Sequence, residues 1–313
     1  MQLLQDGIDI FLKHCQFERN LSGHTLKAYR LDLVQFVRFT SGERNVKDLL
    51  VMDRLLIREF LHSLQRYKPK TQRRRLAALK SLFGFLEQEG WVQTNPTSGL
   101  RLGVRMGRTL PRTISLQTLQ VLFRAIYGKS ASKQSQGHSG RNAIRDVAVF
   151  EIMFSTGMRV AEISDLLLNS LDLERGTVLV RGKGNKERLL AICGAEVRAA
   201  LAAYLDIRGR AGISSEFLFT NRFGNRLSEQ SIRMTLAKHS RSAGVPKVTP
   251  HVFRHTVATM LLEQGVDLRF IQTFLGHSSI VTTTIYAHVT EKSQRDVLAA
   301  NHPRRLFQTG TEG

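Results

Sequence analysis

Residues 144–192 read IRDVAVFEIMFSTGMRVAEISDLLLNSLDLERGTVLVRGKGNKERLLAI, and a change of rhythm inside this stretch decides the fold class. From Ile144 to Phe154, and again from about Met158 to Leu168, apolar residues recur at helical spacing. Gly157 opens the second of these helices, and Val160, Ile163 and Leu167 form its buried stripe. From Leu171 the period drops to two, which predicts short antiparallel strands turning at Gly182, Gly184 and Asn185 with Lys183 on the tip. Helical patterning returns from Ser228. This part of the chain is therefore expected to be mixed α/β, with a small antiparallel sheet among helices.

Working outward, the first hundred residues predict helices alone. Ser22 caps a segment in which Leu26, Tyr29, Leu33, Phe36 and Val37 share a face, and Ile57, Phe60, Leu61 and Leu64 repeat the pattern. A third helix uses Leu76, Leu79, Phe83 and Leu86 before Gly90 stops it. From Asn95 to Pro111 the chain carries Pro96, Gly99, Gly103, Gly107 and Pro111 between arginines, which reads as a linker. The expected organisation is mainly α in two domains: a helical domain over 1–100, a basic linker over 101–112 and a mixed domain over 113–313. Residues 128–141, GKSASKQSQGHSGR, are small and polar and read as a flexible insertion.

The chain has 313 residues, 46 of them Lys or Arg and 26 Asp or Glu, a net charge of +20 that points to a polyanionic partner. Between Glu89 and Asp146 there is no acidic residue, whereas Arg101, Arg105, Arg108 and Arg112 all fall there. A merely solvated surface mixes both signs, so nucleic acid is the expected partner. Lys68 to Lys80 adds a helix start with Arg73, Arg74 and Arg75 in succession, a ridge suited to gripping phosphates. Arg73, Arg74, Arg75, Lys80, Arg101, Arg105 and Arg108 are the DNA-binding candidates. Two cysteines, Cys15 and Cys193, make no disulfide framework, and no apolar run reaches the 18 residues that a membrane span requires. A cytoplasmic protein without a membrane partner is expected.

Candidate chemistry gathers late in the chain. In TPHVFRH, Thr249 is a helix N-cap and Pro250 suits the first helical position, so His251 and Arg254 lie three apart on one face of an opening helix, a place prepared for phosphate. His251 and His255 also have zinc-ligand spacing, but Arg254 stands where a zincin variant needs its Glu, and its charge opposes a cation. Neither a metal nor another cofactor is expected. Arg159 shares a helix face with Glu162 and by itself reads as a solvated charge. The GKGNKER hairpin lacks the GxxxxGK pattern of a nucleotide-binding loop. His277 follows Gly276 at a helix stop, and Tyr286 by itself reads as a core plug.

Taken together, Arg159, Lys183, His251, Arg254, His277 and Tyr286 stand in an order and spacing that resemble the tyrosine recombinase (phage integrase) family, most of all its bacterial Xer-type members. The intervals are 24 from Arg159 to Lys183, three from His251 to Arg254, 23 to His277 and nine to Tyr286. GKGNKER, LGH and the HPR of His302, Pro303 and Arg304 belong to the same resemblance, which spans nearly the whole chain. It implies a SAM-like core-binding domain, a catalytic domain with these six residues in its site, and a site-specific recombinase acting in DNA integration, transposition or dimer resolution. It also implies a homo-oligomer, with a tetrameric synapse on DNA, or pairing with a second recombinase. A type IB-like topoisomerase and a non-catalytic DNA-binding protein of the same fold are the alternatives.

Such chemistry conserves the phosphodiester's free energy in a covalent 3′-phosphotyrosyl ester. At its ordinary pKa only on the order of one tyrosine in a thousand is ionised at neutral pH, so Tyr286 needs a base, for which His251 is the candidate. Arg159 and Arg254 can fork the phosphate oxygens as charge develops, with His277 donating a further hydrogen bond. The resemblance assigns protonation of the departing 5′ oxygen to Lys183. Thr290 is expected to cap a last helix with Val297 and Leu298 on one side, an apolar face offered to a neighbouring protomer.

Overall fold

A computed structural model describes residues 3–43, 48–103, 113–131, 138–182, 187–276 and 291–307. Lys183, His277, Tyr286, Arg105 and Arg108 lie outside the described residues. The chain divides into two compact units, Met1–Thr109 and Leu110–Gly313.

The first unit is built from α1 (Leu4–Phe17), α2 (Gly23–Arg38), α3 (Arg54–Ser63) and α4 (Pro69–Gln88). Side-chain caps start two of them: Ser22 accepts from the amide of Thr25 and Asp53 from that of Leu56 at 2.8 Å. Leu33 and Phe36 of α2 are fully buried, and the ring of Phe36 meets Phe60 of α3 at 5.0 Å and Phe83 of α4 at 6.2 Å, edge-on in both cases. Gly90, at φ +72°, ends α4 as its position in the sequence predicts.

The second unit contains α5 (Leu116–Ala131), α6 (His138–Thr156), α7 (Val160–Ser164), strands β1 (Leu171–Asp172), β2 (Thr177–Arg181) and β3 (Glu187–Ala191), then α8 (Ala195–Arg210), α9 (Glu229–Ser242), α10 (Pro250–Glu263), α11 (Leu268–Leu275) and α12 (Glu291–Asn301). The strands form one antiparallel sheet in the order β1-β2-β3, with Val178 opposite Leu190 and Val180 opposite Arg188. The fold is thus mainly helical with a small antiparallel sheet. α6 packs against α5, α8 and α10, and Phe150, Ile152, Met153 and Phe154 are buried on successive sides of it, as befits a helix enclosed by others.

Three expectations change. The described flanks of 128–141 are helical, because α5 runs on to Ala131 and α6 begins at His138, while 132–137 lie outside the described residues. The packing of Leu119, Leu122, Phe123 and Ile126 of α5 against α6 outweighs the weak propensity of a Gly/Ser-rich end. α7 stops at Ser164 instead of continuing to Leu168, since the backbone turns to pair elsewhere: Leu218 donates to the Leu166 carbonyl and Leu168 to that of Glu216, both at 2.7 Å. Finally, α12 lies on its own domain. Leu298 is fully buried in the core, Val297 packs against it, and Gln294 accepts from the amide of Ala191 on β3 at 3.0 Å. The apolar face that the sequence left without a partner is therefore covered within the chain.

The last described residues are fastened as well. His302 caps a short turn, its Nδ1 accepting from the Arg304 amide at 3.1 Å, and buried Arg304 forks onto buried Glu151 at 2.8 and 2.9 Å. Among the described residues no helix is long and apolar enough to cross a membrane.

Candidate active site

Arg159 takes its place from the turn before it. Gly157 adopts φ +59°, and a Cβ there would come within 2.5 Å of Leu275 Cδ2, so only glycine lets the start of α7 lie so close to the end of α11. Arg159 is then the N-cap of α7. Its amide donates to Glu162 Oε2 at 2.8 Å, its Nη1 to Glu162 Oε1 at 3.0 Å and its Nη2 to the carbonyl of Gly276 at 2.8 Å. The side chain keeps 39% of its surface open.

Arg254 approaches the same turn from α10. Thr249 caps that helix by accepting from the Val252 amide at 3.3 Å, and Pro250 occupies its first turn. The Arg254 guanidinium donates to the Gly157 carbonyl at 2.8 Å and to the Leu275 carbonyl at 2.6 Å. Burial above all, and then the like charge of Arg159, push its pKa down to about 10, which leaves it a cation at neutral pH. His251, one turn earlier, is exposed. Desolvation first, then the neighbouring His255, Arg233, Arg254 and Arg159, hold its imidazole below the ordinary value of 6.5, so it is neutral and able to accept a proton at pH 7.

The sequence reading passed over the group that organises these cations. Glu162 is buried, and besides Arg159 it takes both Nη atoms of Arg188, at 3.0 and 2.8 Å. Burial pulls its carboxyl upward, but hydrogen bonds and charge from Arg188 and Arg159 more than offset that, and it stays below the usual carboxylate range. A signal for Arg188 was present. It stands two residues before core Leu190 and therefore on the inward face of the strand, where a cation demands a partner. His251 and His255 are both exposed on α10, and among the described residues no group of three His, Cys, Asp or Glu side chains comes together.

In the first unit Arg73, Lys80 and Arg101 are exposed, and Arg74 forms an ion pair with buried Asp32. Arg75 does not join an exposed ridge. Successive helical residues point about 100° apart, and this one turns inward, its guanidinium 3.9 Å from the ring centre of Tyr67 and its Nε 3.7 Å from Asp32.

Comparison with known proteins places this geometry. The phage integrase family model matches residues 129–293, and the model of the phage integrase N-terminal SAM-like domain matches residues 8–90. The chain belongs to the phage integrase family. Among its relatives, a tyrosine recombinase of Agathobacter rectalis is 36% identical over 309 residues, covering 98% of this chain and 99% of that one. Tyrosine recombinase XerC of Roseiflexus castenholzii is 37% identical over 311 residues, covering 96% and 94%. The solved pre-cleavage complex of XerH site-specific recombinase with its difH substrate is 25% identical, with a TM-score of 0.67 over 91% of this chain and 82% of that one. A lambda integrase dimer bound to a core site shares the fold at 17% identity and a TM-score of 0.66, over 89% and 96%. This integrase-family chain is accordingly a site-specific tyrosine recombinase, a DNA strand-exchange enzyme, and the topoisomerase and bare binding-module alternatives are not favoured.

Proposed function

We propose that this recombinase cleaves duplex DNA by attack of Tyr286 on the scissile phosphate. His251 takes the phenolic proton, the tyrosyl Oη–P bond forms, the P–O5′ bond breaks, and Lys183 protonates the departing oxygen. The products are a 3′-phosphotyrosyl ester and a free 5′-OH, and attack of another strand's 5′-OH runs the sequence backwards. Arg159, Arg254 and His277 bind the non-bridging oxygens.

The observation that supports this reading is the convergence of Arg159 and Arg254 on one turn. Their guanidiniums donate to the carbonyls of Gly157, Leu275 and Gly276, with His251 one turn away on α10. Three cations, Arg159, Arg188 and Arg254, stand around the single carboxylate of Glu162, so the cluster retains net positive charge for a phosphate to complete.

In this reading residues 1–100 are the core-binding domain, with Arg73, Arg74, Lys80 and Arg101 on the backbone phosphates, 101–112 is a basic linker carrying Arg105 and Arg108 along the DNA, and 113–313 is catalytic. The working form is an oligomer on DNA, four like protomers in a synapse or a pairing with a second recombinase, in the cytoplasm. The test is a nicked suicide substrate that traps the covalent complex. Tyr286→Phe, which removes one oxygen and little volume, is expected to bind DNA and form no covalent complex. A persistent complex with the purified variant sinks the assignment of the nucleophile.

A further inference from the structure

Resting on that reading, we infer that Arg188 is a positioning residue for strand cleavage: it fixes Glu162, and through Glu162 the guanidinium of Arg159, without touching the DNA. The two oxygens of Glu162 are shared. Arg188 donates Nη1 to Oε1 at 3.0 Å and Nη2 to Oε2 at 2.8 Å, while Arg159 donates its Nη1 and its amide to the same two atoms. On its other side Arg188 lies against Gly276, where an added Cβ would come within 3.0 Å of the guanidinium Cζ and Nη1. The carbonyl of that glycine accepts from Arg159 Nη2 at 2.8 Å. Contacts from β3, α7 and the end of α11 thus close a ring around Arg159.

Two physical consequences follow from the ring. A flexible arginine loses rotamer freedom when it is fixed, and a carboxylate held in a fork by a second arginine settles part of that cost before DNA arrives. The second consequence concerns charge. Glu162 alone would neutralise Arg159 and blunt its attraction for phosphate, whereas Arg188 offsets the carboxylate and leaves the trio cationic. Arg188 also stands five residues after Lys183 in the sequence, so the competing role is that it aims the proposed general acid. The two roles predict different chemistry.

Single-turnover formation of the covalent complex by the full chain decides between them, on suicide substrates with either oxygen or sulfur at the bridging 5′ position. A sulfur leaving group needs no proton, so it rescues a defect in the acid and leaves a defect in phosphate binding untouched. Arg188→Ala is expected to bind a half-site within about twofold of the parent and to cleave roughly ten- to a hundredfold more slowly on both substrates. Arg188→Lys recovers only a small part, because one ammonium cannot fork a carboxylate. In an Arg159→Ala background, measured on the sulfur substrate, the further loss from Arg188→Ala should shrink below about threefold. Undiminished cleavage by Arg188→Ala, rescue by sulfur, or a full additional loss in the Arg159→Ala background would each overturn the inference. If melting curves show that Arg188→Ala is unfolded, Glu162→Gln takes its place with the same expected pattern. Failure of the parent chain to form any covalent complex would instead refute the cleavage reading itself.

Discussion

Arg159 and Arg254 have the same side chain and the same proposed task, yet their surroundings predict different costs of removal. Arg254 is buried and satisfies the carbonyls of Gly157 and Leu275, whereas Arg159 is partly open to solvent. Each change to Ala should slow cleavage by about a hundred- to a thousandfold, roughly 3–4 kcal/mol of transition-state stabilisation. Only Arg254→Ala also strands buried carbonyls, at about 1–3 kcal/mol of folding stability, and denaturant titration of the two variants checks that asymmetry. Equal stability losses would contradict the burial difference. His251 carries a second prediction. As the proposed base it must be neutral, so cleavage is expected to rise with pH through its pKa, and that limb should lie below 6.5. After desolvation, the charge of His255 does most to hold the value down, so His255→Ala should move the limb to higher pH, and a limb that stays in place disproves the coupling. At this scale the chain was legible where placement depends on spacing along it, as for Arg254 and His251 at one helix start. Arg188 was passed over and Arg75 was placed on an exposed ridge because what they touch is 26 residues away for Arg188–Glu162 and on another helix for Arg75–Asp32.

Elements were readable where periodicity is long and uninterrupted, and less so where the backbone had a better partner elsewhere. α7 is short because Leu166 and Leu168 exchange hydrogen bonds with Leu218 and Glu216, a pairing that no local pattern announces. The close approach of α7 to α11 depends on Gly157. Gly157→Ala is expected to destabilise the chain by more than 1 kcal/mol or so, from strain at positive φ and the clash with Leu275, and to slow cleavage by displacing the carbonyls that hold both arginines. The tail makes two measurable predictions of its own. Leu298→Ala should cost about 2–5 kcal/mol in DNA-free protein, since α12 packs on its own domain, and an unchanged denaturation midpoint would show that the helix is not seated there. Burial pushes the pKa of His302 down to about 4, so the folded chain binds fewer protons than the unfolded one between about 4 and 6.5. The sign follows: stability is full above 6.5 and declines as pH falls toward 4. His302→Gln, which does not titrate, should flatten that part of a pH-dependent denaturation series.

Across the whole molecule the charge of +20 makes DNA affinity salt-dependent. With six to ten phosphate contacts, binding should weaken by about three to five orders of magnitude between 50 and 200 mM salt. A gel-shift titration that shows a flat response would exclude the backbone-gripping role. Sequence alone determined the mainly helical class with its small sheet, the family register of Arg159, Lys183, His251, Arg254, His277 and Tyr286, and a polyanionic partner. These follow from propensity, period, spacing and charge, all of which are written along the chain. Tertiary structure decided that Glu162 is shared by Arg159 and Arg188, that Arg254 spans the carbonyls of Gly157 and Leu275, that Arg75 faces inward, and that α12 covers its own core. Each of these turns on which distant segment supplies the partner for a buried group, and packing in three dimensions settles that choice.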